Sequence, residues 1–118
     1  MSEVTQSGWT RLRTPTGRFE YQFQGEGPAV RQGKYRNARD YNFLVMDDER
    51  MLYRIPVCIS DAALATMPDA GTKLCVAARQ LRFGLNSYQP RANAPYEELD
   101  SLFAVDARRA EELLRHTD

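Results

Sequence analysis

The stretch YNFLVMDDERMLYRIPVCIS, residues 41–60, decides the fold. Two apolar runs, 41–46 and 50–59, flank Asp47, Asp48 and Glu49, whose acidic side chains favour turns over strand ladders. The stretch therefore reads as a β-hairpin. In its second strand Met51, Tyr53, Ile55, Val57 and Ile59 share one face, the period of two of a half-buried strand. The opposite face is mixed, with Leu52 and Cys58 bracketing Arg54. Pro56 has no N–H to give to a ladder, so the strand is expected to be a sheet edge there or to bulge.

Upstream, RFEYQFQ (18–24) alternates as cleanly. Phe19, Tyr21 and Phe23 fall on one face, and Arg18, Glu20, Gln22 and Gln24 on the other. TPTG (14–17) supplies turn residues before it, which makes WTRLR (9–13) the partner strand, with Trp9 near its start.

Downstream, the period changes. Ser60 suits the N-cap of a short helix, DAALATM, with Asp61 in the first turn where the helix dipole favours an anion. Pro68 ends that helix and DAG (69–71) resets the chain direction. In TKLCVAARQLRFG (72–84), Leu74, Ala77, Ala78 and Leu81 follow helical spacing up to Gly84, while the alternation of Leu74, Val76 and Ala78 leaves a strand open for 73–83. LNSYQPRANAP has loop composition, and Pro95 suits a first helical position. Leu99, Leu102, Phe103, Ala110, Leu113 and Leu114 then trace a helical stripe, with Glu97 and Glu98 in its first turn and Arg115 in its last. Asp106 either interrupts that stripe or caps a second helix beginning at Ala107, so 95–116 is one helix or two.

These elements predict an α+β fold in one domain, 1–118. An antiparallel sheet of about four strands (1–59) is covered on one face by two to four helices (60–118). The faces of 19–23 and 51–59 form the sheet side of the core. The connection between 25 and 40 is longer than a hairpin needs, which marks it as functional, mobile, or hiding a short strand such as AVRQ (29–32).

Composition excludes several classes. With 42% hydrophobic and 27% charged residues, the chain has the make-up of an ordinary folded domain rather than a disordered one. There is no apolar run near the ~20 residues of a membrane helix and no apolar signal-peptide core, so a cytoplasmic protein without membrane contact is expected. Cys58 and Cys75, the only cysteines, sit in apolar segments and read as buried reduced thiols. The single histidine, His116, is third from the C-terminus, which leaves serine or cysteine nucleophiles without a placed base and a zinc site without its usual ligands. GEGPAV (25–30) lacks the following helix of a phosphate cradle and reads as a turn. Asp47, Asp48 and Glu49 read as a solvated turn rather than a magnesium site, because consecutive turn side chains diverge. Glu97 and Glu98 point about 100° apart on a helix, poor geometry for an acid–base pair. No enzyme, cofactor or metal is expected.

What remains is surface. The net charge is zero, yet residues 1–41 hold seven cations against four anions, and residues 94–118 three against seven. Fourteen of the sixteen cations are arginine, the residue suited to bidentate carboxylate or phosphate recognition. AVRQGKYRNARDYNF (29–43) concentrates Arg31, Lys34, Tyr35, Arg36, Arg39 and Tyr41. It reads as the contact surface of a small non-catalytic protein-binding or regulatory module, whose partner is another protein or a second copy meeting an exposed edge near Pro56. The structural reading of the same loop pairs its cations with the acidic C-terminal helix and starts the next strand at Tyr41. The alternative function is nucleic-acid binding through Arg11, Arg13 and Arg18 together with the loop cations, against which a pI near 6.6 weighs.

Overall fold

The computed structural model describes residues 8–29, 37–94, 98–99 and 102–115. Among these residues the elements run in the order β1 (Thr10–Thr14), β2 (Gly17–Pro28), β3 (Arg39–Met46), β4 (Leu52–Ile59), α1 (Asp61–Ala65), α2 (Ala70–Leu85), β5 (Ala104–Val105) and α3 (Ala107–Arg115). The α+β class holds. The sheet order is β1-β2-β3-β4-β5. The first four strands are antiparallel and β5 is parallel to β4, so the sheet is mixed and five-stranded rather than antiparallel and four-stranded. Two residues carry no period, which hides β5 in the sequence. It is held by the Cys58 N–H donating to Phe103 O at 2.8 Å and the Ser60 N–H donating to Val105 O at 2.9 Å.

Both hairpins form. Pro15 and Thr16 connect β1 to β2 in the register Thr14 to Gly17, and Gly17 takes the positive φ of 151° that the turn requires. The Thr16 hydroxyl donates to Leu85 O at 2.7 Å, tying this turn to the end of α2. In the second hairpin, one Asp47 carboxylate oxygen accepts the N–H groups of Glu49 (2.9 Å) and Met51 (3.0 Å), and the other accepts the Tyr53 hydroxyl (3.3 Å). The acidic triplet is thus a turn, with Asp47 as its organiser.

GEGPA, the described part of GEGPAV, is not a turn. A bulge between Phe23 and Gly25, with Gly25 at φ 127°, lets β2 continue to Pro28 opposite Arg39. The expected long connection contracts accordingly, and the Ala29 N–H donates to Ala38 O at 3.0 Å just beyond the strands. Of AVRQ, residues 30–32 lie outside the described residues. Pro56 does sit on an edge. Beyond β4 the strand β5 pairs only with Cys58 and Ile59.

Ser60 caps α1, accepting the Ala63 N–H at 3.1 Å. Asp69 caps α2 through the Thr72 N–H at 2.7 Å, so DAG opens a helix instead of merely redirecting the chain, and 73–83 is helical. Gly84 lies within α2 rather than closing it, and the C-cap is Asn86. Asp106 accepts the Arg109 N–H at 2.7 Å and starts α3, which divides the last stripe in two with β5 between the parts.

The core joins Phe19, Tyr21, Tyr41, Phe43, Val45, Ile55, Val57 and Ile59 of the sheet to Met67 and to helix residues such as Val76, Leu81, Leu85 and Leu113. Met51 ends in the turn and is exposed, and Phe23 stands at the core margin. Cys58 is buried but Cys75 is exposed on α2, contrary to its expected burial, and both are free thiols. The opposite sheet face carries, in cross-strand pairs, Arg11 with Glu20, Arg13 with Arg18, Gln22 with Leu44, and Met46 with Leu52.

Candidate functional site

Of the six residues expected to make the contact loop, Arg31, Lys34, Tyr35 and Arg36 lie outside the described residues. The other two are engaged within the fold. The Arg39 Nε donates to Glu26 Oε2 at 3.1 Å, diagonally across β2 and β3, and this hydrogen bond and charge hold its guanidinium pKa above the usual value. Tyr41 is buried, its ring stacked on Phe23 at 5.9 Å and 25°, and burial raises its hydroxyl pKa. Arg39 pairs with Glu26 and not with the acidic C-terminal helix. There, Glu112 meets Arg108 (3.9 Å) and Arg109 (3.0 Å), and Glu111 meets Arg115.

Arg11, Arg13 and Arg18, the cations of the alternative reading, are brought together. Alternation along β1 and β2 places all three on the sheet face away from the core. The two-residue turn then fixes the register that sets Arg13 directly opposite Arg18. Directly paired side chains hold their Cβ atoms roughly 4.5–5.5 Å apart, and like charges there repel. Arg50 joins them from the β3–β4 turn, at φ 66°, where its N–H donates to Asp47 O at 3.1 Å. Together with Glu20, Met46, Asp47 and Asp48, the four arginines line an open cleft of about 510 Å³.

The cleft is neutralised only in part from within. Asp47 is committed to its own turn, and among the described residues Arg13, Arg18 and Arg50 have no carboxylate partner for their guanidinium groups. Chemically, such forks take carboxylate or phosphate oxygens two at a time. Arg50 escaped the sequence reading because a lone cation inside an acidic turn carries no pattern. Only the folded hairpins place it beside β1 and β2.

Among the described residues, no group of three or more His, Cys, Asp and Glu side chains is placed to hold a metal ion. No helix among them is long and apolar enough to cross a membrane. No family model, curated protein or solved structure matches the chain.

Proposed function

We propose that the chain is a non-catalytic binding module that docks an acidic segment of a partner protein on the cleft of Arg11, Arg13, Arg18 and Arg50. One observation carries this reading: Arg13 and Arg18 are held face to face, and no carboxylate among the described residues pairs with either. An anion between them offsets their repulsion, which makes the cleft worth more to a ligand than two separated arginines.

The walls of the cleft favour a short acidic segment over a nucleic-acid strand. Three carboxylates, those of Glu20, Asp47 and Asp48, stand among its lining residues. A phosphate backbone running through would meet those carboxylates, whereas a compact acidic group that ends between the arginines avoids them. The neutral net charge agrees, since it provides no broad basic footprint.

The test is a titration by fluorescence anisotropy with a labelled poly-glutamate peptide and, in parallel, a single-stranded oligonucleotide of equal charge. The peptide is expected to bind, and the double variant Arg13→Ala, Arg18→Ala to weaken it at least about tenfold without lowering the melting temperature. Tighter binding of the oligonucleotide, with a steep loss in salt, would transfer the cleft to nucleic acid. Absence of binding by either probe would remove the reading.

A further inference from the structure

We infer that the edge of β4 at Leu52 and Arg54 is a second binding surface, which takes an extended strand of a partner protein bearing an acidic side chain opposite Arg54. It shares no lining residue with the arginine cleft.

The direction of the backbone groups follows from two hydrogen bonds. The N–H groups of Cys58 and Ser60 donate away from β3, to Phe103 O and Val105 O. Backbone groups alternate along a strand, so the N–H and C=O of Leu52 and Arg54 face the same way. At their level β5 is absent, because it pairs only with Cys58 and Ile59. Pro56 faces the same way, so its ring withholds a donor from this edge but none from the ladder with β3. The edge therefore offers a short ladder of donors and acceptors that another extended backbone can read.

Four side chains define what that strand must carry. Leu52 is 54% and Met51 51% exposed, a large apolar surface beside the open ladder. Across a groove of about 270 Å³, Tyr88 packs its ring edge-on against Phe103 at 5.7 Å, and its hydroxyl is buried with no hydrogen-bond partner. An orphaned buried hydroxyl is costly, and a polar group entering the groove relieves it. Of the groove's two cations, Arg91 is paired with Glu98 at 2.7 Å, while Arg54 has no such partner among the described residues. A carboxylate on the incoming strand complements Arg54. A second copy of this chain pairing antiparallel about Arg54 would set two guanidinium groups against each other, which disfavours it as the occupant.

The experiment is an amide NMR titration of the full chain with two capped five-residue peptides, one alternating valine and glutamate, the other valine and lysine. It is run in the wild type and in the Arg13→Ala, Arg18→Ala background, which removes the cleft. The valine–glutamate peptide is expected to shift the Leu52 and Arg54 amides and slow their hydrogen exchange at least about tenfold in both backgrounds, and the lysine peptide to leave them unmoved. Arg54→Glu should invert that preference, and Leu52→Pro, which removes one edge donor, should weaken both responses. Shifts confined to the cleft and lost with its arginines would overturn the inference while leaving the proposed function intact. Concentration-dependent shifts at Leu52 and Arg54 without peptide would assign the edge to self-association instead, and unmoved edge amides would assign it to nothing.

Discussion

Gly84 of α2 and Phe103 share one space: a Cβ built on Gly84 would lie 2.7 Å from Cζ and 2.9 Å from Cδ1 of the ring. Phe103 is fully buried, so the ring has no room to withdraw. The glycine is there for close approach, not to end the helix.

Gly84→Ala therefore sets two effects against each other. Alanine gains roughly 1 kcal/mol of helix propensity. Overpacking a closed core costs about 1–3 kcal/mol and wins when the neighbour is a ring with nowhere to go. Net destabilisation is expected in urea unfolding. In a Phe103→Ala background, itself destabilised by about 3–5 kcal/mol, the same change should become neutral or favourable, a coupling that a double-mutant cycle measures directly.

At the start of the same helix, Asp69 tests the acid limb of stability. The Thr72 N–H holds its carboxyl below the usual aspartate range. A lowered folded pKa contributes stability that is present above the unfolded value near 3.9 and is lost as pH falls through the folded one. Asp69→Asn should keep the cap at neutral pH and flatten the acid loss, whereas Asp69→Ala should lower stability throughout. Thermal melts from pH 7 to pH 2 separate the two.

The alkaline limb belongs to the buried tyrosines. Burial raises the hydroxyl pKa of Tyr41 and of Tyr88. For a raised pKa the contribution is complete below the unfolded value near 10 and disappears as pH rises through the folded one, so stability should fall above about pH 10. Tyr88→Phe should reduce that fall. It should also raise stability near neutrality by about 1 kcal/mol, because the hydroxyl it removes is buried and unsatisfied.

Asp47 links the turn to the cleft. Asp47→Asn keeps an acceptor for the Glu49 and Met51 N–H groups while deleting a negative charge from the cleft wall, so it should strengthen poly-glutamate binding about two- to threefold at constant melting temperature. Asp47→Ala frees the turn, displaces Arg50 and should weaken binding. Parallel anisotropy and melting curves check both.

Much of this fold was legible because its segments obey simple periods. The alternation of Phe19 and Tyr21, and of Ile55, Val57 and Ile59, gave the strands and their core face, the cap Ser60 announced a helix by chemistry alone, and Asp106 offered a cap as one of two readings. What stayed hidden was what short or non-local order decides. The two residues of β5 are too few to show a period, and the bulge after Phe23 carries β2 through two glycines and a proline that otherwise signal a turn. The site divided in the same way. Arg11, Arg13 and Arg18 could be named from their cationic run, but their convergence needed the hairpin register, and Arg50 needed the second hairpin folded beside the first. Arg39 and Tyr41 looked available only because Glu26 and Phe23, their partners, sit on the preceding strand.

If the cleft is the docking site, the uncommitted guanidinium groups, and not the committed ones, meet the anion. Arginine side-chain Nε–H resonances recorded during a poly-glutamate titration answer this, with Arg39 and Arg91, already paired to Glu26 and Glu98, as internal references. The Arg13, Arg18 and Arg50 signals are expected to move together and saturate at one common affinity while the two references stay still. Uniform movement of all five, or movement of the references alone, would contradict the account.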